Sequence, residues 1–334
     1  MFSSLLKKFM TAIVTLVATI AVIFVITRKL GDPIALMLGP RATQEQIDFF
    51  REKEGLNDSI FIQFLRYIQD LLRFDFGNSI SSGRTVLSEI TLSLPATVEL
   101  VVFATFLGII IFVPLGIFAA SSKNRSVRIF CSTLVRLGIS IPSFWLGLVF
   151  IFIFYYKLGI SPAPYGRISS SITFTPSTGF YVFDAITTGN FTALQSCISH
   201  LILPGLTLAL TSCVPILKLT TEVMNSILES EYIQTARNLG LSRTRTVWVL
   251  AFKNALIPIV TMTAMTLGYL IGGTVLVETI FAWPGIGLYA VQSMYKLDYA
   301  PVLAVTIIAT TSYIVVYFLA DLFSSLIDPR IRKS

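Results

Sequence analysis

The sequence predicts an all-α, polytopic membrane protein with six transmembrane helices. Of its 334 residues 54% are apolar and only 13% are charged, which is about half the charged fraction of a typical soluble domain. Most charged residues are also separated from the long apolar runs. Six runs contain roughly 20 residues, the length that an α-helix needs to cross a bilayer. The lipid bilayer is therefore the expected surroundings of most of the chain.

The six apolar runs define the predicted spans. They lie near Phe9–Ile26, Ala96–Ala120, Ile129–Tyr155, Ile198–Leu219, Ala255–Ala282 and Pro301–Phe323. The first run follows Lys7 and Lys8 and so resembles a secretory signal, but no small-x-small cleavage site precedes Arg28. We expect it to remain as an uncleaved span.

The segments around these runs organise the rest of the chain. Residues 1–30 are expected to form the N-terminal tail and first span, 31–95 an external helical segment, 96–323 the five-helix core and 324–334 a cytoplasmic tail. The spacing of Ile60, Phe64 and Ile68 indicates an amphipathic helix in the external segment. Proline and glycine within 159–197 predict a folded external loop. Residues 220–254 are predicted to form a helical loop on the opposite side.

The orientation follows from the short basic connections. The connection between the second and third spans carries Lys123, Arg125 and Arg128 without an acid, and the C-terminal tail is also basic. An excess of lysine and arginine in short loops marks the cytoplasmic side of a membrane. Both termini and the 220–254 loop are therefore expected in the cytoplasm, with the chain in a bacterial inner membrane.

The chain lacks the residue patterns of common catalytic and metal sites. It contains no GxxxxGK[ST] phosphate loop, no HExxH and no GxSxG motif, so we expect it to be neither an ATPase nor another enzyme. Cys131, Cys197 and Cys213 are widely spaced, which favours buried small side chains over metal ligands. His200, the one histidine, is expected to form an interfacial hydrogen bond. The net charge of +7 shows no basic face interleaved with aromatic residues, so nucleic-acid binding is not expected.

Residues 231–253 form a polar, helix-prone stretch between strongly apolar segments, typical of a water-facing element. Gly240 stands where a helix should end in a residue with positive φ, and Ser242 stands where the next helix needs an N-cap. One apolar stripe, expected to be exposed for a partner's groove, comprises Tyr232, Ile233, Ala236 and Leu239. The polar residues expected to accompany it are Glu231, Arg237, Arg243 and Arg245. The pattern predicts a helix-turn-helix that docks a soluble partner.

Charged residues within the apolar runs are further candidates, because a charge is costly inside a bilayer. Glu99 and Glu278 lie near predicted outer ends, whereas Arg136, Lys218 and Asp321 lie toward inner ends. Structural ion pairs or groups that reach the interface are the favoured interpretation. Arg136 lies roughly two turns into its span, so an acidic partner such as Asp321 or Glu222 is expected.

Small residues near the end of the fifth span suggest a flexible stretch. Gly268, Gly272, Gly273 and Thr274 lie within it, and Glu278 follows. One interpretation is a pore-facing segment that gates a transport pathway. The alternative is the ordinary composition of membrane helices, in which small residues allow close packing.

Several stretches together carry a resemblance to a known family. They are GDPIALMLGPRATQEQID, DFGNSI, SLPATVEL, GISIPSFWLG, HLILPGLTLAL, ETIFAWPGIG and DYAPVLA, in order from about Thr27 to Asp328. They resemble the dipeptide/oligopeptide/nickel permeases of ABC importers. The 231–253 stretch is similar to the cytoplasmic EAA coupling loop of such permeases, with Gly240 at the position of its glycine. Lys253 departs from the pattern, because it stands where a proline is usual.

The resemblance implies a type I importer permease that forms the pathway for di- or oligopeptides. It implies a second homologous permease subunit, two ATPase subunits that bind ATP and Mg²⁺, and an extracytoplasmic substrate-binding protein. This chain itself would hold no cofactor.

Three alternatives remain open at this level. Nickel import belongs to the same family, although one histidine and three dispersed cysteines offer few nickel ligands. An ion-coupled secondary transporter would be expected to show mid-span acids and paired repeats, and neither is visible. A channel remains possible but does not explain the 231–253 stretch.

Overall fold

The computed structural model describes residues 2–30, 43–53 and 56–327. Regular structure in these ranges is helical, apart from an isolated bridge between Asn78 and Thr85. The first four helices are α1 Phe2–Leu30, α2 Gln44–Lys53, α3 Ile60–Leu72 and α4 Val86–Ser121. They are followed by α5 Arg125–Ser140, α6 Ser143–Phe150, α7 Tyr181–Thr187, α8 Phe191–Ser212 and α9 Val214–Leu228. The last are α10 Glu231–Asn238, α11 Phe252–Gly273, α12 Val275–Ile280, α13 Ile286–Tyr295 and α14 Tyr299–Ile327.

The predicted all-α, six-span architecture is confirmed. Within the described ranges five helical stretches are long and apolar enough to cross a membrane, and they contain α1, α4, α8, α11 and α14. The third predicted span is a pair, α5 with α6 and its π-helical continuation Ile151–Lys157, bent by 105°. Pro142 explains the break, because proline disfavours helical geometry in the residue before it. Ile141 is accordingly extended, with φ −82° and ψ 123°.

Three predicted span limits differ from the structure. Helix α4 begins at Val86, ten residues before the predicted start at Ala96, and contains Pro95 without a break. The fourth span is Phe191–Ser212, which starts and ends seven residues before the predicted limits, and Val214–Leu228 forms the separate helix α9. The fifth ends at Gly273, and the residues up to Ile280 form the separate helix α12.

Helix α4 is the centre of the helical core. Its buried residues Leu100, Phe112 and Ile117 belong to the same apolar cluster as Leu208 of α8 and Leu217 of α9. Small residues allow these helices to approach closely, as expected inside a membrane. A Cβ on Gly116 would lie 2.7 Å from the Cβ of Thr220, so a larger side chain has no room there.

The three cysteines agree with the prediction of buried, unpaired side chains. Cys131, Cys197 and Cys213 are free and buried. Cys213 lies at the α8–α9 junction, opposite Gly108 of α4. These thiols therefore act as small packing groups.

The predicted external loop is folded around one carboxylate. Asp184 of α7 is 1% exposed and accepts hydrogen bonds from the Ser177 hydroxyl and from the backbone and side chain of Thr178. Burial alone would raise the pKa of Asp184, but these hydrogen bonds outweigh it and the net pKa is lowered. Helix α3 confirms the amphipathic helix predicted before the second span.

Gly138 provides a test of the packing between α5 and α9. A Cβ there would lie 2.6 Å from both the Leu210 carbonyl oxygen and Val214 Cγ2. We expect Gly138→Ala to destabilise the protein by about 1–3 kcal/mol, the usual cost of overpacking. Thermal unfolding in detergent should show a lower midpoint.

Gly272→Ala is the matched control, because its Cβ would meet Ala309 at an ordinary 3.8 Å. It should leave the midpoint unchanged or raise it, since alanine is the better helix former. Equal midpoints for the two variants would contradict the packing argument.

Candidate coupling surface and transport pathway

The 231–253 stretch folds as predicted along the backbone. Helix α10 ends at Asn238, Gly240 has a φ of +83°, and the next helix starts at Arg243. The Ser242 hydroxyl accepts a hydrogen bond of 3.4 Å from the Arg245 backbone N–H, consistent with an N-cap. No atom lies within 4 Å of a Cβ built on Gly240. Backbone conformation rather than space therefore favours glycine here.

The prediction that the whole apolar stripe is exposed is wrong. Ile233 is 0% and Ala236 9% exposed, and Ile233 belongs to the same buried cluster as Met224 and Val247. Helix α10 packs this face against its own chain at the inner ends of the spans, because an isolated short helix must bury its apolar side to be stable. The two residues therefore anchor α10 and do not face a partner.

The outward surface of this segment is mainly polar, with two apolar side chains. Tyr232 is 47% and Leu239 76% exposed. The other predicted residues on this surface are exposed as well: Glu231, Arg237, Gly240, Arg243 and Arg245. We name this set, with Tyr232 and Leu239, the coupling surface.

Two side-chain contacts tie the coupling surface to different spans. The Arg243 guanidinium donates to the carbonyl oxygen of Ser121, the last residue of α4. The Asn254 side-chain amide donates to the Tyr232 hydroxyl at 3.1 Å, which joins α10 to α11. A displacement of the coupling surface would consequently act on both α4 and α11.

A basic cavity lies beside the coupling surface, and sequence reasoning did not identify it. Its volume is about 640 Å³, and Lys123, Arg128, Arg237 and Arg243 line it together with the single acid Glu229. The acid-free Lys123–Arg128 connection was the available signal, but its proximity to α10 depends on tertiary packing.

At the other end of the molecule, Glu278 is the centre of a buried hydrogen-bond network. Its carboxylate is fully buried and accepts from the Thr97 hydroxyl at 2.7 Å, the Thr274 hydroxyl at 2.8 Å and the Leu288 backbone N–H at 3.0 Å. The Thr97 oxygen in turn accepts from Ile286 N–H. Thr97 and Glu278 thus satisfy free N–H groups at the start of α13, where a negative charge is favoured.

This network explains the ETIFAWPGIG stretch. Trp283 is 1% exposed, and its indole N–H donates to the Ala96 carbonyl oxygen at 2.8 Å. A Cβ on Gly285 would collide with Thr97 and Glu278, so only glycine fits between them. The stretch therefore locks α12 and α13 onto the outer part of α4.

The interpretation of a pore-facing gate is wrong for Thr274 and Glu278, because both are fully buried in the network. The three glycines Gly268, Gly272 and Gly273 line a groove of about 600 Å³ between α11, α13 and α14. Gly272 and Gly273 are exposed, whereas Gly268 packs against Tyr313 and Val316 of α14. The three glycines stay candidates for the pathway.

The charges within the spans separate into paired and unpaired groups. Glu99 forms a buried ion pair with Arg167 of the external loop and accepts the Val182 N–H at 2.7 Å, in agreement with a structural role. The Arg167 guanidinium also lies 3.9 Å from the centre of the Tyr181 ring. Sequence reasoning missed Arg167, although a buried glutamate requires a basic partner.

Arg136 does not form the ion pair expected with Glu222. Glu222 lies 4.0 Å from Lys218 instead, and among the side chains that the structure describes none pairs with Arg136. The alternative partner, Asp321, has a side chain outside the described residues. Arg136 and Glu222 nevertheless line the same cavity.

The Glu278 network can be tested by removing its charge. Glu278→Gln keeps the size of the side chain but points an amide N–H₂ at groups that donate hydrogen bonds to the native carboxylate. Each buried donor that loses its acceptor lowers the stability of the fold by about 1–3 kcal/mol. We expect a lower unfolding midpoint and a red-shifted Trp283 emission, measured with Trp145 and Trp248 replaced by phenylalanine. Glu89→Gln is the control, since Glu89 has only a 3.9 Å contact with Arg84. An unchanged midpoint and emission would show that the network does not stabilise this end.

Comparison with known proteins agrees with this architecture. Residues 112–333 match the family model described as binding-protein-dependent transport system inner membrane component, and residues 1–101 match its N-terminal companion. The chain is 39% identical to the probable D,D-dipeptide transport system permease of Escherichia coli K12, covering 99% of this chain and 98% of that protein. It is 34% identical to a dipeptide permease of Alkalihalophilus pseudofirmus and 32% identical to an oligopeptide permease of Bacillus subtilis, each covering 99% of this chain and 100% of the relative. The chain belongs to the family of binding-protein-dependent transport system inner membrane components.

Proposed function

We propose that this chain is a pathway-forming subunit of an ATP-driven importer for di- or oligopeptides. The observation that carries the proposal is similarity over nearly the whole chain to permeases of dipeptide and oligopeptide transport systems. The coupling surface supports it, because it offers a soluble partner an outward-facing element that is tied to two spans.

The proposal requires partner chains. The sequence contains no phosphate loop, so two ATPase subunits would bind ATP and Mg²⁺. A second homologous permease would complete the pathway, and an extracytoplasmic binding protein would deliver the peptide. When the ATPases close, they would move the coupling surface, and the contacts of Arg243 with Ser121 and of Tyr232 with Asn254 would transmit this movement to α4 and α11.

No specific observation favours nickel as the substrate. The three cysteines are buried, and the His200 ring contacts the Ser196 carbonyl oxygen at 2.8 Å. Within the described residues no group of three or more His, Cys, Asp or Glu side chains could hold a metal ion.

The function is tested by reconstitution with the co-expressed partners. The chain should co-purify with two ATPases and a second permease, and proteoliposomes should accumulate peptide only with ATP and the binding protein present. Peptide accumulation without ATP would return a channel or an ion-coupled transporter to consideration.

Variants of the coupling surface should uncouple this complex. Leu239→Glu places a charge on an exposed apolar side chain, and burying it unpaired in a partner's groove is unfavourable. Gly240→Val forces a β-branched residue into positive φ at a cost of about 1–2 kcal/mol. Both variants should insert normally, yet they should lose ATPase subunits on purification or hydrolyse ATP with much reduced peptide uptake.

Leu72→Glu is the matched control, because Leu72 is 78% exposed, much as Leu239 is, but lies on α3 before the first span of the core. It should retain the ATPases. If both coupling variants assemble and transport like wild type, the surface is not the coupling element.

The orientation is part of the proposal and has its own test. With both termini in the cytoplasm, an impermeant thiol reagent added outside cells should label Thr43→Cys and miss Lys123→Cys. The native cysteines are buried and should contribute little background. Labelling of position 123 from outside would invert the orientation and place α10 away from any cytoplasmic ATPase.

A further inference from the structure

A cavity of about 620 Å³ lies between α5 and α9, on the Arg125 side of the bend in the third span. Most of its lining surface is apolar, but polar and charged side chains also line it: Arg128, Ser132, Arg136, Lys218, Glu222 and Asn225. The α9 residues among them recur at offsets of four and three, so they share one face of that helix. A different face of α9 packs on α4 through Leu217, Thr220 and Met224. The cavity therefore combines an apolar wall with a group of polar and charged side chains.

The charges around this cavity are not balanced. Lys218 and Glu222 form an i,i+4 contact of 4.0 Å, which offsets one positive charge. Arg128 and Arg136 remain, and both are exposed. Among described side chains neither has an ion-pair partner. The cavity consequently presents two guanidinium groups to its contents.

Arg136 lies well inside the apolar run of the third predicted span. It lies 11 residues beyond Arg125, or roughly 16 Å along the axis of α5 at 1.5 Å per residue. Charged side chains at such depth face protein or a water-filled cavity, because exposure to lipid is too costly. The hydroxyl, amide and carboxylate groups of α9 that line the cavity indicate that it contains water and not lipid tails. The negative charge of Glu222 also disfavours binding of a lipid phosphate in the cavity.

We propose that this cavity is a peptide-binding station on the transport pathway, where Arg136 binds the C-terminal carboxylate of the peptide. A guanidinium recognises a carboxylate through paired hydrogen bonds, and every linear peptide with a free C-terminus carries one. The volume falls within the range of small-molecule sites, about 300–1,000 Å³. The inference rests on the proposed peptide transport but concerns a separate step, the occupancy of this chain by substrate.

The test measures protection of a cysteine in the cavity. Thr221 also lines the cavity, and Thr221→Cys is close in size. In the assembled, nucleotide-free transporter in nanodiscs, millimolar trialanine should slow thiol modification of this cysteine, whereas trialanine amide should not. Arg136→Gln should weaken protection by trialanine about tenfold, the loss expected for one charge-assisted pair. Arg125→Gln, the same change on the same helix outside the cavity lining, should not.

The acid-amide comparison keeps Arg136 intact, so it decides the question even if Arg136→Gln fails to assemble. Equal protection by both peptides, or no protection by either, would overturn the station. Protection that persists in Arg136→Gln would overturn the role of Arg136. A third outcome combines two results: Arg136→Gln fails to bind the second permease, and trialanine gives no protection in the complex with native Arg136. That outcome would show that Arg136 pairs with the second permease and not with the peptide. Uptake of trialanine by the wild-type complex tests the proposed function separately.

Discussion

The buried carboxylate of Glu278 is the interaction on which the outer part of the structure depends. A carboxylate removed from water is stable only when donors surround it, and here they come from α4, from the end of α11 and from the start of α13. Satisfying the hydrogen bonds of one carboxyl group thereby fixes three elements. Because α4 is also the helix on which α8 and α9 pack, the same network positions the core. The Glu99–Arg167 pair adds the external loop to this assembly.

The inner end is built differently. Helix α10 is held by the burial of two apolar residues and by the hydrogen bond from Asn254 of α11 to Tyr232, and the helix that follows it is linked to α4 by the hydrogen bond from Arg243 to Ser121. These donors and acceptors are exposed to water, which can replace each bond at little net cost. The proposed function needs one end of the core to hold its helices while the other end responds to the ATPase subunits. The distribution of buried and exposed contacts along α4 matches this requirement.

The sequence predicted those features that depend on local physics. Hydropathy indicated the spans, and the positive φ of Gly240 followed from its place between two helix patterns. The outward placement of Ile233 and Ala236 was wrong, because periodicity shows that a helix has an apolar face but not which surface covers it. Arg167 was missed for a similar reason, since its partner Glu99 lies 68 residues away in sequence. The bend at Pro142 shows that a continuous apolar run need not be a continuous helix.

The two cavities near the coupling surface provide an electrostatic connection between that surface and Arg136. Arg128 and Asn225 line both the basic cavity beside the coupling surface and the cavity of Arg136. Arg237 and Arg243 of the coupling surface face the first cavity, so a shift of α10 changes the positive potential around the shared residues. A peptide carboxylate held at Arg136 would experience that change in potential most strongly at low ionic strength, because salt screens charges that are exposed to solvent. In the proposed complex, movement of the coupling surface would thus alter substrate affinity without direct contact between a partner bound to that surface and the peptide, which is linkage between two separate sites.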